Sequence, residues 1–429
     1  MSMRHLFLNV AALALIAIPC AAQNTRTLSL ADAEKIAIQN HPQIQAAGYL
    51  AAAAQAQVTE ARSVYYPQAV GSLTGVESET NSRISAGALN NPIIFDRYAN
   101  GVAVSQLVTD FGHTHELVKS ATLHAQAQKA NVLTSRADVL INVDRAYYNV
   151  LRSQAVLRVA EETVKTRQLV SDQITALEQN KLRSGLDVSF ANVDLAQAQL
   201  LLIEAQNGVE ASYADLSTAL GYQDEKIFTL TEEPVPPAPP PNVADLISQA
   251  LQNRPELISH RLDVRSAESY ATAERDLWLP TITAVGAAGL APVHEDLLGS
   301  RYAAAGFNVN IPLFNGHEFG ALRAEANAKA QAQSQYLRDL QNGIVREVRK
   351  AWLESNAAFQ RLSVTQQLLA QATQALDLAQ QRYKLGLSSI IELSQAQLNM
   401  TQAEITQASA KYDYETAISA LNYEVGANH

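Results

Sequence analysis

The sequence predicts a mainly helical chain in which one unit occurs twice, each with long coiled-coil helices and a small membrane β part. Three observations lead to this fold class. The two halves match at fixed offsets, apolar residues recur at alternating spacings of four and three, and short segments of alternating polarity follow prolines. These patterns are typical of a duplication, of coiled-coil helices and of strands with one apolar face.

The duplication has two registers. Asn40-His41-Pro42 recurs as Asn253-Arg254-Pro255, at an offset of 213 residues (255 − 42). Later positions recur at an offset of 205 residues: Val104, Asp110, Ala146, Asp187 and Gly221 correspond to Val309, Asn315, Ala351, Glu392 and Gly426. The offset changes once, between residues 67 and 104, so the repeats differ by one change of length.

Composition narrows the class of protein. The 429 residues are 47% hydrophobic but only 6% aromatic, which favours long helices packed through small residues over a thick globular core. The net charge is −10 and no basic run occurs, which argues against nucleic acid as the main partner.

The first 22 residues predict export. They contain a short polar start, an apolar segment and a small-residue cleavage site that ends at Ala22. The apolar segment is shorter than the ~20 residues that span a bilayer, so a transmembrane anchor is the weaker alternative. Cys20 is the only cysteine, and the adjacent Pro19 disfavours its lipidation. Cleavage after Ala22 would leave a chain without thiols.

Each repeat begins with two helices that are separated at a proline. Helices are predicted over about 29–40 and 43–65, and again over about 243–253 and 256–279. Their boundaries lie at Pro42, Pro67, Pro255 and Pro280. Proline keeps the residue before it out of the helical region, which gives these boundaries a physical cause.

A proline-rich segment separates the repeats. Residues 231–242 contain six of the 14 prolines and predict an extended, semi-rigid linker. Repeat 1 then comprises residues 23–230, and repeat 2 comprises residues 243–429.

After Pro67 and Pro280 the pattern becomes that of strands. Apolar residues alternate with the polar Asn308 and Asn310, namely Ala305, Phe307, Val309, Ile311 and Leu313. β-Hairpins are therefore expected over about 68–108 and 281–313, which gives four strands per chain. Four strands cannot close a barrel, and lipid does not tolerate open sheet edges, so several chains must pool their strands.

Long helical hairpins complete each repeat, over about 112–220 and 316–425. Their long helices, about 112–179 and 316–384, carry a 4-3 seam that predicts coiled-coil packing. In repeat 2 the seam is Ile344, Val348, Ala351, Ser355, Ala358, Leu362, Thr365, Leu369, Ala372, Leu376 and Ala379. Return helices are expected over about 187–220 and 388–425.

Two segments are specific enough to indicate a family. One is Val309-Asn310-Ile311-Pro312-Leu313-Phe314-Asn315-Gly316, where a strand enters a long helix. The other is Arg382-Tyr383-Lys384-Leu385-Gly386-Leu387-Ser388-Ser389-Ile390-Ile391-Glu392-Leu393, at the far turn. With the duplicated order of elements over residues 28–426, the chain resembles the TolC family of outer-membrane efflux ducts.

The resemblance implies a homotrimer. Three chains with four strands each would form a 12-stranded β-barrel in outer-membrane lipid, continuous with a trimeric α-barrel in the periplasm. The helix turns would form a periplasmic tip that meets an adaptor (membrane fusion protein) and an inner-membrane pump, of the resistance-nodulation type, ABC or another type.

The function implied is passive export of small molecules such as drugs, metals or metabolites. Type I protein secretion is the alternative within the class, because the tunnel itself does not specify a substrate. An exported coiled-coil protein without a pore is the alternative from another class. It accounts for the heptads but not for the strands.

The resemblance also places a gate at the tip. Tyr383 and Asp187 match the tyrosine and the aspartate of the family's gate, and Glu392 matches the first acid of its constriction ring. Gln395 stands in place of the second acid, and Ser388 stands in place of the gate arginine. The expected adaptor-docking residues are Lys181, Leu182, Leu385, Gly386 and Leu387.

Glu392 also has a physical interpretation without the family. Three copies of a carboxylate around a narrow pore would attract cations. The alternative is a solvated glutamate on the outside of the tip.

No enzyme, cofactor or metal site is predicted. His115-Glu116 begins a near match to the zinc motif H-E-x-x-H, but the second histidine is missing. Catalytic motifs with a phosphate-binding loop or a nucleophile elbow do not occur in the sequence.

Overall fold

The computed structural model describes residues 27–77, 85–86, 89–90, 97–291 and 299–427. The predicted cleavage site at Ala22 and the cysteine Cys20 lie outside these residues.

The two repeats contain the same helices in the same order. Repeat 1 has α1 (Leu30–Asn40), α2 (Pro42–Ser63), α3 (His113–Gln179) and α4 (Gly185–Ala219); repeat 2 has α5 (Val243–Asn253), α6 (Pro255–Asp276), α7 (Glu318–Lys384) and α8 (Ile390–Val425). Both long helices have 67 residues, which at 1.5 Å per residue makes each about 100 Å long.

Strands lie between the helices. They are β1 (Thr27–Leu28), β2 (Gln68–Val76), β3 (Ser85–Ala86), β4 (Leu89–Asn90), β5 (Arg97–Thr109), β6 (Thr229–Leu230), β7 (Thr281–Leu290) and β8 (Arg301–Asn310). Four of them form one antiparallel sheet in the order β2-β5-β7-β8. The two repeats therefore join through the β5–β7 pair, and β2 and β8 remain as edges.

The last strand is shorter than the sequence predicts. Its pairing ends where Thr281 faces Asn310, because Pro280 stops the partner strand at that point. Ile311 and Leu313 continue the alternation but lie beyond the sheet. Every residue of β8 is solvent-exposed in the single chain, including Phe307 and Val309.

The predicted seam holds the helical hairpins together, with α3 against α4 and α7 against α8. Ala358, Thr365, Ala372 and Ala379 are buried at intervals of seven, while the leucines between them are half-buried. Small buried residues at these positions allow the helices to approach closely, so the 4-3 spacing is confirmed as the packing face.

The return helices α4 and α8 end beside the first residues of α2 and α6. Gly221, at φ 82°, lies beside His41, and a Cβ at this position would be 3.0 Å from the His41 Cα atom. Gly426, at φ 76°, lies in the same way beside Arg254. Pro42 and Pro255 occupy the first turn of the next helix, where the missing N–H costs nothing. α2 and α6 therefore continue the lines of α4 and α8.

Short elements pack on the long helices beside these junctions, and we call them the belt. We use this name for α1, α5, the parallel β1–β6 pair and the linker 231–242. α1 packs on α3 through Ala33 and Ala37, which contact a buried cluster that includes Val143 and Tyr147. α5 packs on α7 beside Ile344 and Val348.

Candidate gate at the helical tip

Both hairpins end in turns of the same construction. Lys181 and Gly386, at φ 59° and 73°, occupy the left-handed position after the long helix. They are equivalent by the repeat offset (386 − 181 = 205). In each turn the next residue, Leu182 or Leu387, donates its N–H to a carbonyl five residues back, which satisfies the end of the long helix. Both turns are thus closed by backbone hydrogen bonds although they are exposed.

Asp187 stabilises the start of α4. Its carboxylate accepts hydrogen bonds from the Ser184 backbone N–H and hydroxyl, both at 3.1 Å, and Ser184 accepts in return from the Asp187 N–H. This reciprocal arrangement is a capping box. Ser389 caps α8 by accepting from the N–H of Glu392 at 3.4 Å. Both acids therefore lie in first helical turns, where the helix dipole favours negative charge.

An arginine joins the two hairpins at Tyr383. Arg183 Nη2 donates to the Tyr383 carbonyl oxygen at 2.6 Å. The same guanidinium lies 4.1 Å from the centre of the Tyr383 ring, in cation–π geometry. Tyr383 is buried, and its hydroxyl has no hydrogen-bond partner among the described residues. Burial, followed by the charge of Asp187, raises the pKa of Tyr383, and Arg183 partly offsets this rise.

Sequence reasoning missed Arg183. The sequence places Ser388 where the family that it resembles has its gate arginine, and no role was predicted for the equivalent position of the other repeat. That position is Arg183 (388 − 205). The repeat offset was the signal that could have found it. The Ser388 hydroxyl itself is buried without a partner among the described residues.

Glu392 has a cationic neighbour. Arg382 Nε donates to Glu392 Oε1 at 3.0 Å, and Arg382 Nη2 donates to the Leu387 carbonyl at 3.3 Å. The pair is about half-exposed, so its attraction is screened by solvent. Gln395 donates its amide to Asn399 at 3.0 Å one turn farther on. The negative charge predicted at Glu392 is therefore largely balanced within the same chain.

A buried apolar cluster surrounds the candidate gate residue Tyr383. It includes Ile174 of α3, Ala191 of α4, Ala379 of α7 and Leu393 of α8, together with Tyr383. Next to it, a cavity of about 640 Å³ opens between the two hairpins toward the tip. Leucines at the tip are exposed around it, namely Leu182, Leu385 and Leu387.

A second polar link lies farther from the tip. Ser394 of α8 donates to Asp194 of α4 at 2.5 Å. Arg167 of α3 lies nearby, 8% exposed, and its Nη1 has no partner within the described residues. Burial lowers the pKa of Arg167, whereas the charges of Asp194 and Glu404 raise it. Three of the four helices of the long hairpins, α3, α4 and α8, thus meet at this level.

Metal chemistry has no site in the described part of the chain, where no group of three or more His, Cys, Asp or Glu side chains could hold an ion. His113, two residues before the incomplete zinc motif, contacts the Ala273 carbonyl at 2.9 Å through Nδ1.

The fold and the tip define a duplicated helical-hairpin protein with a four-stranded antiparallel sheet. The family model described as outer membrane efflux protein matches residues 35–222 and 246–427. The chain therefore belongs to this family, and it is an outer-membrane efflux channel protein.

Similar proteins agree with this assignment. The chain is 25% identical to the outer membrane protein TolC of Vibrio cholerae, over 93% of this chain and 90% of that one. It is 23% identical to the outer membrane efflux protein BepC of Brucella suis, over 85% and 78%. The alkaline protease secretion protein AprF of Pseudomonas aeruginosa is also 23% identical, over 93% and 84%.

Solved structures share the fold. A membrane protein from Pseudomonas aeruginosa superposes with a TM-score of 0.80 at 19% identity, covering 92% of this chain and 93% of that chain. The outer membrane protein VceC from Vibrio cholerae gives 0.78 at 20% identity, covering 92% and 96%.

Proposed function

We propose that three copies of the chain form a continuous export duct through the outer membrane and the periplasm. The sheet supports this arrangement. Its edges β2 and β8 are open in the single chain, and neither lipid nor a stable sheet tolerates such edges. Three four-stranded sheets joined at these edges would make a 12-stranded barrel.

The helices offer a matching contact. By length and composition alone, one described helix, α4, is apolar enough to cross a membrane. It packs along α3, so a neighbouring copy explains its exposed apolar residues better than lipid does. Those residues include Val193, Leu200 and Ile203. Exposed residues of α7, such as Val364, Leu368 and Leu378, provide the complementary edge.

The duct would export small molecules passively, with the energy supplied by an inner-membrane pump through a periplasmic adaptor. The family match over most of the chain is the observation that carries this proposal. Type I protein secretion is the second candidate, favoured by the similarity to a protein that is named for secretion of alkaline protease.

The tip would contain both the gate and the docking surface. Arg183 and Tyr383 would hold the hairpins in the closed position, and the Arg382–Glu392 pair would lie at the constriction. The exposed turns with Lys181, Leu182, Leu385, Gly386 and Leu387 would meet the adaptor beside the apolar cavity.

A crosslink at Leu387 tests the duct. A photoreactive residue there should capture an adaptor together with its pump, and the pump's class would distinguish small-molecule efflux from protein secretion. Crosslinks only between copies of this chain, with extraction by water instead of detergent, would favour a structural coiled coil without a pore.

Gly386→Trp is the matched test of docking. Gly386 is at φ 73°, and nothing lies within 4 Å of a Cβ built there. A large side chain should block the adaptor and abolish export while detergent-extracted trimers persist. Gly48→Trp is the control, because its position in α2 is also open but is far from the tip. Normal export by Gly386→Trp would refute tip docking.

A further inference from the structure

The long helices have a polar face that lies opposite the belt. Tyr147 of α3 and Tyr213 of α4 donate their hydroxyls to backbone carbonyls in and beside the belt, at 2.7 and 2.6 Å. Arg145 and Asp215 each lie two residues from these tyrosines, which is about 160° around the helix at 3.6 residues per turn. Both charged side chains are exposed, so they lie on the face away from the belt.

A groove of about 800 Å³ occupies this face, a volume typical of small-molecule sites. Helices α3, α4, α7 and α8 all contribute to its wall. Six charged residues line it, three of each sign: Arg145, Arg152, Arg361, Asp215, Glu354 and Asp413. His41 lines it too, and burial lowers the pKa of this imidazole, which favours its neutral form. The groove is therefore neutral overall, although the chain carries a net charge of −10.

Four of the six charges are already paired. Arg152 Nη1 donates to Asp413 Oδ1 at 3.4 Å, and Arg361 Nη1 donates to Glu354 Oε1 at 3.0 Å. Both pairs are about half-exposed, so they contribute little to stability, but the two charges of each pair offset one another. These four residues offer little attraction to a charged solute.

The other two charges have no partner in the described part of the chain. Neither Arg145 nor Asp215 makes a salt bridge or a side-chain hydrogen bond there. Gln154 of α3 donates to Tyr213 of α4 at 2.8 Å, which sets the alignment of the two antiparallel helices. Asp215 is then level with residue 152 of α3, and Arg145 lies seven residues from that level, about 10 Å along the helix axis. One small molecule with a charge at each end fits between them.

We propose that this groove binds amphoteric small molecules, with the carboxylate of the ligand on Arg145 and its ammonium group on Asp215. A zwitterion satisfies both unpaired charges, whereas an anion or a cation satisfies one and meets repulsion from the other. The planar guanidinium suits a carboxylate because it donates two parallel hydrogen bonds. Asn142 and Asn149, on the same wall, provide further hydrogen-bonding groups.

The inference rests on the proposed duct and names a substrate class for it. A belt on the inside would block the tunnel, so the belt would lie outside and the groove would line the lumen. Weak binding suits such a position, because a site on a transport path must also release its solute.

The test measures protection of a thiol in the groove of the purified full-length protein in lipid nanodiscs. Asn149→Cys places the thiol on the wall beside Arg145, and Cys20→Ser removes the only native cysteine. The uncharged reagent N-ethylmaleimide labels the thiol. The probe is 6-aminohexanoate, and hexanoate and hexylammonium are the matched anion and cation. At about five times a millimolar Kd, 6-aminohexanoate should slow labelling about sixfold, and the two controls less than about twofold.

Substitutions of the two unpaired charges separate binding from simple crowding of the groove. Arg145→Gln and Asp215→Asn each remove one exposed charge and should each reduce protection by 6-aminohexanoate to that of the singly charged probes. Lys165→Gln removes an exposed charge of α3 outside the groove and should leave protection unchanged. A thiol at Gln168, exposed on α3 outside the groove, should not be protected.

Three results would overturn the proposal. They are equal protection by all three probes or by none, protection that survives both charge substitutions, and a thiol at position 149 that N-ethylmaleimide does not reach. The assay needs neither adaptor nor pump. Failure of the Leu387 crosslink would therefore concern the duct alone, and the two outcomes remain distinguishable.

Discussion

Asp144 of α3 and Glu34 of α1 form a carboxyl pair inside the belt. Burial, followed by the charge of Glu34, raises the pKa of Asp144 to about 7, and Ser419 and Glu233 lie close to it. Glu415 of α8 is similar, since burial raises its pKa to about 7 although Lys411 lowers it. Both groups are almost fully buried, and Asp144 Oδ1 and both Glu415 oxygens have no hydrogen-bond partner among the described residues. Burial beside the belt therefore favours the protonated forms of these two carboxyls.

The sign of the pH dependence follows from these raised values. A carboxyl whose folded pKa exceeds its unfolded value costs no stability below pH 4, and its cost grows as the pH rises toward 7. We predict that thermal stability falls between pH 5 and pH 8. Asp144→Asn should flatten this fall and stabilise the protein at pH 8 by about 1–2 kcal/mol. Differential scanning calorimetry of both proteins at several pH values measures the unfolding temperature. Substitution of the exposed Asp224 by Asn is the control. An unchanged pH profile would contradict the assignment.

Backbone strain at the tip gives a second prediction at the residue scale. Lys181 is a non-glycine residue at φ 59°, while its equivalent Gly386 meets the same requirement without strain. Lys181→Gly should stabilise the turn by about 0.5 kcal/mol, and Gly386→Ala should destabilise it by about 1 kcal/mol. Thermal unfolding of both variants gives the two signs, and effects of equal sign would contradict a left-handed position in both turns.

At the scale of elements, the sequence predicts most of the helices and strands because each has a local cause. Prolines at 42, 67, 255 and 280 bound helices, and the 4-3 spacing identifies the coiled-coil seam. The meeting of α4 with α2 at Gly221 and His41 has no such local signal. These residues are 180 positions apart (221 − 41), and only the complete fold brings them together.

The candidate site was less predictable for the same reason. Position in the family motif makes Tyr383 and Glu392 candidates for the gate, but it does not indicate their partners. Arg183 reaches Tyr383 across 200 residues, and Arg382 reaches Glu392 across a turn. Only the offset of 205 residues relates Arg183 to Ser388 and could have indicated that the arginine lies in repeat 1.

Substitution of Arg183 tests whether the contact between the two hairpins keeps the candidate gate closed. It connects α4's turn to the end of α7 through one hydrogen bond and one cation–π contact. Arg183→Gln removes the charge, so we predict at least partial opening of the tip and a several-fold rise in single-channel conductance in planar bilayers. Arg183→Lys should show an intermediate value, because lysine keeps the charge but lacks the planar fork. Lys384→Gln, which removes an exposed charge at the same end of α7, is the control. Equal conductance in Arg183→Gln and wild type would remove Arg183 from the gate.

At the scale of the whole molecule, the threefold symmetry of the proposed trimer would multiply every charge at the tip. In the proposed trimer three Glu392 carboxylates and three Arg382 guanidiniums would surround one pore, so their balance would set the field that a permeating ion meets. Neutral Gln395 adds no charge to this ring. The ion selectivity of the channel should therefore depend on whether Glu392 is paired with Arg382, whereas the free energy of unfolding should depend on it little, because the pair is half-exposed.

The pair makes opposite predictions for its two members. Glu392→Ala should lower cation preference and weaken block by multivalent cations, because the ring loses its carboxylates. Arg382→Ala should raise both, because it leaves three unbalanced carboxylates whose mutual repulsion the pore must relieve by holding cations. If the two residues are paired, the arginine acts on selectivity through the glutamate. The double variant should then have the same selectivity as Glu392→Ala. Reversal potentials in a salt gradient measure all three variants. If Arg382→Ala left selectivity unchanged while Glu392→Ala reduced it, Glu392 would face the pore without its arginine. If neither changed it, Glu392 would lie outside the pore, on the solvated surface of the tip.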